Sequence, residues 1–145
     1  MKKVLNIAVG LFLLFTVAMN AQCKSFVKKK CLPSLAPYLT NGQINTAVFS
    51  PGDNAEIPLP FFENTSYRVI VCNQETIGKV SFKVMDQNKN VLFDSSENGD
   101  VSQWDFKSKS NQNLILFVQV PEEKDNHSNL MHTGCVSVII GFKKS

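Results

Sequence analysis

The chain has 145 residues, of which 15 are basic and 12 acidic, giving a net charge of +3. This length leaves room for a single domain of moderate size. The near balance of charge excludes the strong positive field with which proteins hold nucleic acids by counterion release.

Residues 1–21 have the pattern of a cleavable signal peptide. Lys2 and Lys3 form a basic start, and an uncharged, largely apolar stretch follows them as far as Ala21. This stretch is too short to span a hydrocarbon core of about 30 Å comfortably, and it ends in small or polar residues. We therefore expect cleavage after Ala21, export to the periplasm or beyond the cell, and no permanent transmembrane segment. Loss of the two lysines leaves 13 basic against 12 acidic residues, a net charge of +1.

The four cysteines, Cys23, Cys31, Cys72 and Cys135, predict two disulfide bonds, since an even number in an exported chain is typical of a disulfide framework. Three pairings are possible. Cys72 ends one strand-like run and Cys135 begins another, which favours a Cys72–Cys135 bond and leaves Cys23 with Cys31. A continuous helix between Cys23 and Cys31 would separate their Cα atoms by about 12 Å, beyond the disulfide limit of about 7 Å, and would exclude that second bond.

Cys23 also has a competing interpretation as the lipid-acceptor cysteine of a lipoprotein, because it follows the apolar stretch almost at once. That signal requires a branched apolar residue three positions earlier and a small residue just before the cysteine. Asn20 and Gln22 occupy those positions. The sequence therefore favours a disulfide at Cys23 over lipid anchoring.

Residues 22–43 are expected to form a short helical cap. Their apolar residues have mixed spacings, and Pro33 and Pro37 interrupt them. A short helix before Pro33, a turn and a second helical turn fit this pattern, with Asn41 and Gly42 as the stop signal.

Residues 44–145 are expected to form an all-β domain, an antiparallel β-sandwich or jelly roll of about eight strands. Polar turn sequences separate the predicted strands, which are Ile44–Ser50, Glu56–Phe61, Ser66–Cys72, Gly78–Met85, Asn90–Asp94, Ser102–Lys107, Asn113–Val120 and Cys135–Phe142. Pro58 and Pro60 cannot donate ladder hydrogen bonds, so their strand belongs at a sheet edge. The nearly continuous apolar runs at 114–118 and 136–140 predict central strands, covered on both faces or on one face and by the cap.

The segment from Asp86 to Asn90 is the strongest metal candidate. Asp86, Asn88 and Asn90 offer oxygen ligands at alternate positions, and Glu97 stands where the last ligand of a calcium loop belongs. Val91 occupies the position that calcium loops reserve for glycine, so a hairpin turn is the competing interpretation. Asp94 and Asp100 could complete the site if the two neighbouring loops converge.

No catalytic residues are predicted. His127 and His132 lie in the polar, unpatterned stretch at 122–133, which offers no rigid support for a general base; with Asp125 they form a weak metal alternative. Lys28, Lys29 and Lys30 form the one basic run, which is typical of a solvated face.

Trp104 and Phe106 share one face of a predicted strand, where they are expected to be core residues. A carbohydrate-binding platform would need them outside the core.

Four motifs follow one another in the chain, ahead of a later apolar strand: Ser50-Pro51-Gly52, Tyr67-Arg68-Val69, Val80-x-Phe82-x-Val84-x-Asp86 and Val91-Leu92-Phe93-Asp94. In this order they resemble the pre-peptidase C-terminal (PPC) domains of exported bacterial proteins and, more loosely, the GOLD domains of cargo adaptors. The resemblance covers the chain from about Ile44 to Phe142. It implies a sandwich fold and a non-catalytic accessory or binding role, and it assigns no functional residues.

The sequence therefore favours a non-enzymatic exported binding module whose partner is another protein, another macromolecule or a glycan. The alternative is a carrier of small apolar ligands, for which the apolar strands near 114–120 and 135–142 would have to enclose an internal cavity of a few hundred Å³.

Overall fold

Two antiparallel four-stranded sheets face each other as a sandwich, and a helical segment covers the outside of one of them. The structure, a computed structural model, describes residues 22–122 and 132–144. The strands are β1 Leu39–Phe49, β2 Asn54–Phe61, β3 Thr65–Asn73, β4 Ser81–Met85, β5 Val91–Asp94, β6 Gln103–Lys107, β7 Gln112–Gln119 and β8 Gly134–Lys144. Sheet A has the strand order β1-β8-β3-β6, and sheet B has the order β2-β7-β4-β5. The predicted all-β sandwich with a short N-terminal helix is confirmed.

The strands lie in the sheets where their sequences place them. β2, which contains two prolines, is an edge strand of sheet B, and the strongly apolar β7 and β8 are central in their sheets. The main difference is at β1, which begins at Leu39 rather than Ile44. Asn41 and Gly42 lie in an irregularity within this strand instead of ending a helix, and Gly42 has a φ of +82° that glycine adopts without steric cost.

The core lies between the sheets and is built from the alternate, inward-facing residues of the strands. Its fully buried members of largest volume are Phe61, Phe82, Leu59, Leu114, Leu116 and Ile140. Stacked aromatic rings fill the long side of the sandwich where β5 and β6 approach each other. The ring centroid of Trp104 lies 5.2 Å from that of Phe93 and 4.2 Å from that of Phe106. The prediction that Trp104 and Phe106 are core residues is confirmed, since both pack against the buried cluster.

The cap, defined here as residues 22–35, is helical throughout but not uniform. Residues 22–26 are α-helical and run directly into a π-helical turn at Val27–Cys31 and a 3₁₀ turn at Leu32–Leu35. Pro33 stands in the 3₁₀ turn, where an α-helix could not continue past it. The helical part is therefore continuous from Cys23 to Cys31.

The cap covers the outer face of sheet A. Val27 and Leu35 pack against Ile70 of β3 and Ile139 of β8, which pair with each other and are both buried. This contact explains why β8 is apolar on both faces, as its sequence predicted. Gly141 of β8 permits the close approach, because a Cβ there would lie 2.5 Å from a Leu35 methyl carbon and 2.8 Å from the Tyr38 Cβ.

Two disulfides tie the cap to sheet A, one at its start and one at its middle. Cys23 is bonded to Cys135 of β8, and Cys31 is bonded to Cys72 of β3. The prediction of two disulfides is confirmed, but the predicted pairing of Cys72 with Cys135 and Cys23 with Cys31 is wrong. In the register of β3 and β8, Cys72 lies opposite Ser137, so Cys135 is two residues away from the position that faces Cys72. The side chains of Cys72 and Cys135 both point outward to the cap. The continuous helix keeps Cys23 and Cys31 too far apart to bond.

The side chain of Arg68 on β3 binds the C-terminal end of the cap. Its Nε and Nη2 donate to the two Asp105 carboxylate oxygens at 2.8 and 2.6 Å, and its Nη1 donates to the carbonyl oxygens of Ser34 and Ala36 at 3.2 and 2.8 Å. The guanidinium carbon lies 4.6 Å from the centre of the Tyr38 ring. The hydrogen bond and charge of Asp105 raise the pKa of Arg68 above its ordinary value. One side chain therefore joins β3, β6 and the chain that leads from the cap into β1.

The disulfide pairing can be tested by peptide mapping without reduction. Trypsin cuts at each lysine between Cys23 and Cys31, and the four cysteines fall in four separate peptides. We expect the linked pairs to contain Cys23 with Cys135 and Cys31 with Cys72. A species linking Cys72 to Cys135 would contradict the structure. In the loop-entropy description, loops of 112 and 41 residues correspond to stabilisation of about 4.8 and about 3.9 kcal/mol.

The Arg68 contacts give a second prediction. Arg68→Ala removes a bidentate ion pair and two bonds to the cap, so we expect the free energy of unfolding to fall by about 2 kcal/mol in urea titrations. Lys79→Ala is the matched control, because the Lys79–Asp100 ion pair is exposed on both sides and should be worth less than about 0.5 kcal/mol. Equal effects of the two substitutions would show that Arg68 does not hold the cap.

Candidate functional site

The Asp86 segment forms the tight connection between β4 and β5. The Asp86 carboxylate accepts hydrogen bonds from the backbone N–H groups of Asn88 and Asn90 at 2.8 and 2.9 Å, and from the Asn90 side-chain amide at 2.8 Å. These bonds, the Asn90 side chain foremost, lower the pKa of Asp86. The structure thus brings Asp86, Asn88 and Asn90 together as a hydrogen-bonded turn.

Glu97 is not part of that cluster. It follows β5, whereas the Asp86 turn precedes it, and the intervening strand of four residues spans about 13 Å. The two acids that could have completed the site have basic partners, Asp94 with the Lys83 Nζ and Asp100 with the Lys79 Nζ, both at 2.9 Å. Within residues 22–122 and 132–144, no group of three or more His, Cys, Asp and Glu side chains is placed to hold a metal. Calcium binding at Asp86, Asn88, Asn90 and Glu97 stays a prediction.

The other sequence candidates contribute no site to the described structure. His127 and Asp125 lie outside the described residues, and His132 precedes β8 beside Pro121 and Glu122. The Cys23 sulfur is bonded to Cys135, as the disulfide interpretation of this cysteine expects. None of the helices in the described part of the chain is long and apolar enough to cross a membrane.

The first candidate surface is the long side of the sandwich between the edge strands β1 and β2, here called the β1–β2 seam. A groove of about 390 Å³ runs along it and opens to solvent. It is lined from β1 by Asn45, Ala47 and Phe49 and from β2 by Ala55 and Ile57, with core valines of β7 and β8 at its floor. The seam is therefore mostly apolar.

The groove exists because three of the inward-facing residues of these two edge strands are small or polar. Ala47 lies opposite Val136 and Asn45 opposite Val138, so both face the core, and Ala55 faces it from β2. None of them can fill the space that the stacked rings of β5 and β6 fill on the other side. The two long sides of the sandwich are thus closed to different degrees.

A second groove lies on the other face of β1, between this strand and the cap. It has a volume of about 500 Å³ and is lined by Lys24, Val27, Lys28, Leu32, Ile44 and Thr46. Thr46 is fixed there by a hydrogen bond of 2.8 Å between its Oγ1 and the Ser137 Oγ. β1 consequently has an apolar groove on its inner face and an apolar groove with a basic wall on its outer face.

β1 also differs from the other three edge strands of the described sheets. β2 contains two prolines, and β5 and β6 have only four and five residues and carry charged side chains. Such features protect sheet edges from pairing with other chains. β1 has 11 residues with no charge and no proline, and it is exposed over almost its whole length. Its outward-facing Ile44 and Val48 are 38% and 44% exposed.

Sequence reasoning missed this surface, although two signals were present. The predicted strand Ile44–Ser50 contains no charged residue, and its alternate positions Asn45 and Ala47 are too small or too polar for a closed core. Together these signals indicate an edge strand beside unfilled space.

Comparison with known proteins identifies a fold but no family. No family model and no curated protein matches the chain. Among solved structures it is similar to the crystal structure of Aeromonas hydrophila PliG, a periplasmic lysozyme inhibitor of g-type lysozyme. The two share a TM-score of 0.51 and 11% sequence identity over 70% of this chain and 85% of that chain. At this identity the likeness shows the shared fold alone. The resemblance to pre-peptidase C-terminal and GOLD domains stays a prediction.

The Asp94–Lys83 pair gives a prediction on pH. Asp94 is buried, and the hydrogen bond from Lys83, with one from the Ser96 backbone, holds its pKa below the ordinary value of an aspartate. The unfolded chain therefore binds this proton more readily, so Asp94 stabilises the fold above about pH 4 and loses this effect as pH falls through the lower folded-state pKa. We expect Asp94→Asn to lower the free energy of unfolding at pH 7 by about 1 to 2 kcal/mol, with a difference that shrinks towards pH 2. A difference independent of pH would contradict this.

Proposed function

We propose that this is an exported, non-enzymatic binding protein that engages another protein along the β1–β2 seam. The observation that carries the proposal is β1 itself, an edge strand without charge or proline that pairs regularly from Ile44 to Phe49 and is flanked by an apolar groove on each face. Unpaired backbone N–H and C=O groups beside apolar grooves are what proteins use to bind an extended segment of a partner.

Three further observations support this proposal. The fold is shared with an inhibitor protein that the solved structure describes as periplasmic. The two disulfides are of the kind that persists in oxidising compartments, in agreement with the basic and apolar start of the chain. Asp86 accepts hydrogen bonds within a turn, and Asp94 and Asp105 form ion pairs that stabilise the fold. A binding role requires no catalytic group at the seam.

The test compares two variants that add one carboxylate to an exposed edge strand. Ala47→Glu places a charge in the inner groove, whereas Val91→Glu places it on β5, where Val91 is 52% exposed. Immobilised wild-type protein and both variants are incubated with native envelope extract, and the captured proteins are identified by mass spectrometry. We expect Ala47→Glu to lose, and Val91→Glu to retain, the proteins that the wild type captures. Equal capture by all three would overturn the use of the seam.

A g-type lysozyme is the first defined partner to test, because the fold is shared with an inhibitor of that enzyme. Cell-wall lysis by the lysozyme is measured with increasing amounts of the wild type and of the two variants. Inhibition that Ala47→Glu weakens would identify the partner class. Lysis unchanged by a large excess of protein would remove lysozyme as the partner and leave the capture experiment to decide the proposal.

A carrier of small apolar ligands is the second candidate, and the inner groove favours it. Its volume of about 390 Å³ falls within the range of about 300 to 1,000 Å³ seen for ligand pockets. The groove lies at the edge of the sandwich and opens to solvent, so a ligand would be held at the seam rather than between the sheets. Saturable binding of a fluorescent apolar probe that Ala47→Phe abolishes would support this role, and its absence would exclude it.

A further inference from the structure

We propose that the ligand of the seam is an extended segment of a partner protein in which apolar residues alternate with acidic ones, added to sheet A as a strand beside β1. The inference rests on the proposed function and specifies the chemistry of its ligand. It follows from three observations. The outer edge of β1 is unpaired, the two grooves beside β1 have different linings, and the cap next to β1 is positively charged.

The two grooves explain why apolar and acidic side chains would alternate along the bound segment. A strand that pairs with β1 continues sheet A, so its successive side chains point alternately to the inner and the outer face. Inward-pointing side chains would enter the groove formed by Ala47, Ala55 and Ile57, which accepts small or medium apolar groups. Outward-pointing side chains would enter the groove walled by Lys24 and Lys28.

The charge of the cap determines the sign of the outward-pointing groups. The cap contains four lysines, Lys24, Lys28, Lys29 and Lys30, and no acidic residue. All four are exposed, and two of them line the outer groove next to Ile44 and Thr46 of β1. Carboxylates of an added strand would find opposite charges there, whereas basic side chains would be repelled.

The same lysines argue against a second copy of this chain as the occupant. Two β1 strands paired antiparallel about a twofold axis would place both caps on the same face of the extended sheet. The lysines of one copy would then face those of the other across the new strand pair, with no carboxylate of the caps between them. β1 itself is uncharged and offers no compensation. A partner strand with acidic residues would neutralise the positive charge of the cap lysines, whereas a second copy would double that charge.

The probes are synthetic peptides of about eight residues that share one backbone length and differ in side chains. In the first peptide valine alternates with glutamate, and in the second valine alternates with lysine. The third repeats the first but carries an N-methyl group at every residue, so that neither of its edges can donate hydrogen bonds to a strand. Binding to the full mature protein is measured by fluorescence anisotropy at low and at physiological salt, and backbone protection by hydrogen–deuterium exchange.

We expect the valine–glutamate peptide to bind, to protect backbone amides of β1 and to bind at least about tenfold more tightly than the valine–lysine peptide, as is typical of complementary charges. Joint substitution Lys24→Glu and Lys28→Glu should reverse that preference. Lys107→Glu with Lys109→Glu is the matched control of equal net charge, because Lys107 lies on β6 at the far edge of sheet A, and it should leave the preference unchanged. Ala47→Glu should weaken both peptides.

Three results would overturn the inference: equal binding of the two charged peptides, equal binding of the N-methylated peptide, or no binding of any peptide at millimolar concentration. A measured self-association through β1 that charge reversal leaves intact would likewise replace it. These failures are distinguishable from failure of the proposed function. If Ala47→Glu loses the captured proteins, the partner still binds at the seam and only the chemistry of its segment is wrong. If Ala47→Glu captures the same proteins as the wild type, the seam is not the binding surface.

Discussion

The covering of sheet A by the cap is the constraint on which the rest of the structure depends. β8 is apolar on both faces, and its outward-facing Ile139 is fully buried only because the cap lies over it. The buried apolar contact of the cap is made by few residues, chiefly Val27 and Leu35. Two disulfides and the Arg68 bonds fix it at its start, its middle and its end, so the cap is a permanent part of the sandwich.

The cap covers β8 and β3 but leaves β1 largely exposed, and the two long sides of the sandwich also differ. On one long side, the rings of Phe93, Trp104 and Phe106 fill the space between the sheets. On the other side, Asn45, Ala47 and Ala55 leave it open. An edge strand that is uncharged and flanked by apolar surface is costly in an exported protein, because it invites pairing with other chains. A binding role gives that exposed edge a physical purpose, which a purely structural account of the fold does not.

Alternation and turn chemistry are local properties, so the sequence predicted all eight strands and the edge position of β2. The same local reasoning placed Trp104 and Phe106 in the core. The disulfide pairing depends on which cap cysteine lies over which strand, and no local pattern contains that information. Cys72 and Cys135 do belong to neighbouring strands as predicted, but their side chains point to the cap rather than to each other. The seam was also missed because it depends on tertiary structure. The groove is the space between two strands, distant in sequence, whose side chains do not fill it.

The outer groove is formed by elements that are distant in sequence and joined by the disulfides. Lys24 and Lys28 lie between Cys23 and Cys31, the two cysteines that hold the cap on sheet A. With reduced cysteines the cap would keep only its modest apolar contacts and the Arg68 bonds, and the basic wall would no longer be fixed beside β1. The two disulfides therefore hold the basic wall of the outer groove in place beside β1. Under the proposed function, the two disulfides stabilise the fold and also fix the surface that the partner contacts. The edge of β1 is itself uncharged, so its selectivity for acidic partner segments comes from the cap lysines, which lie outside sheet A.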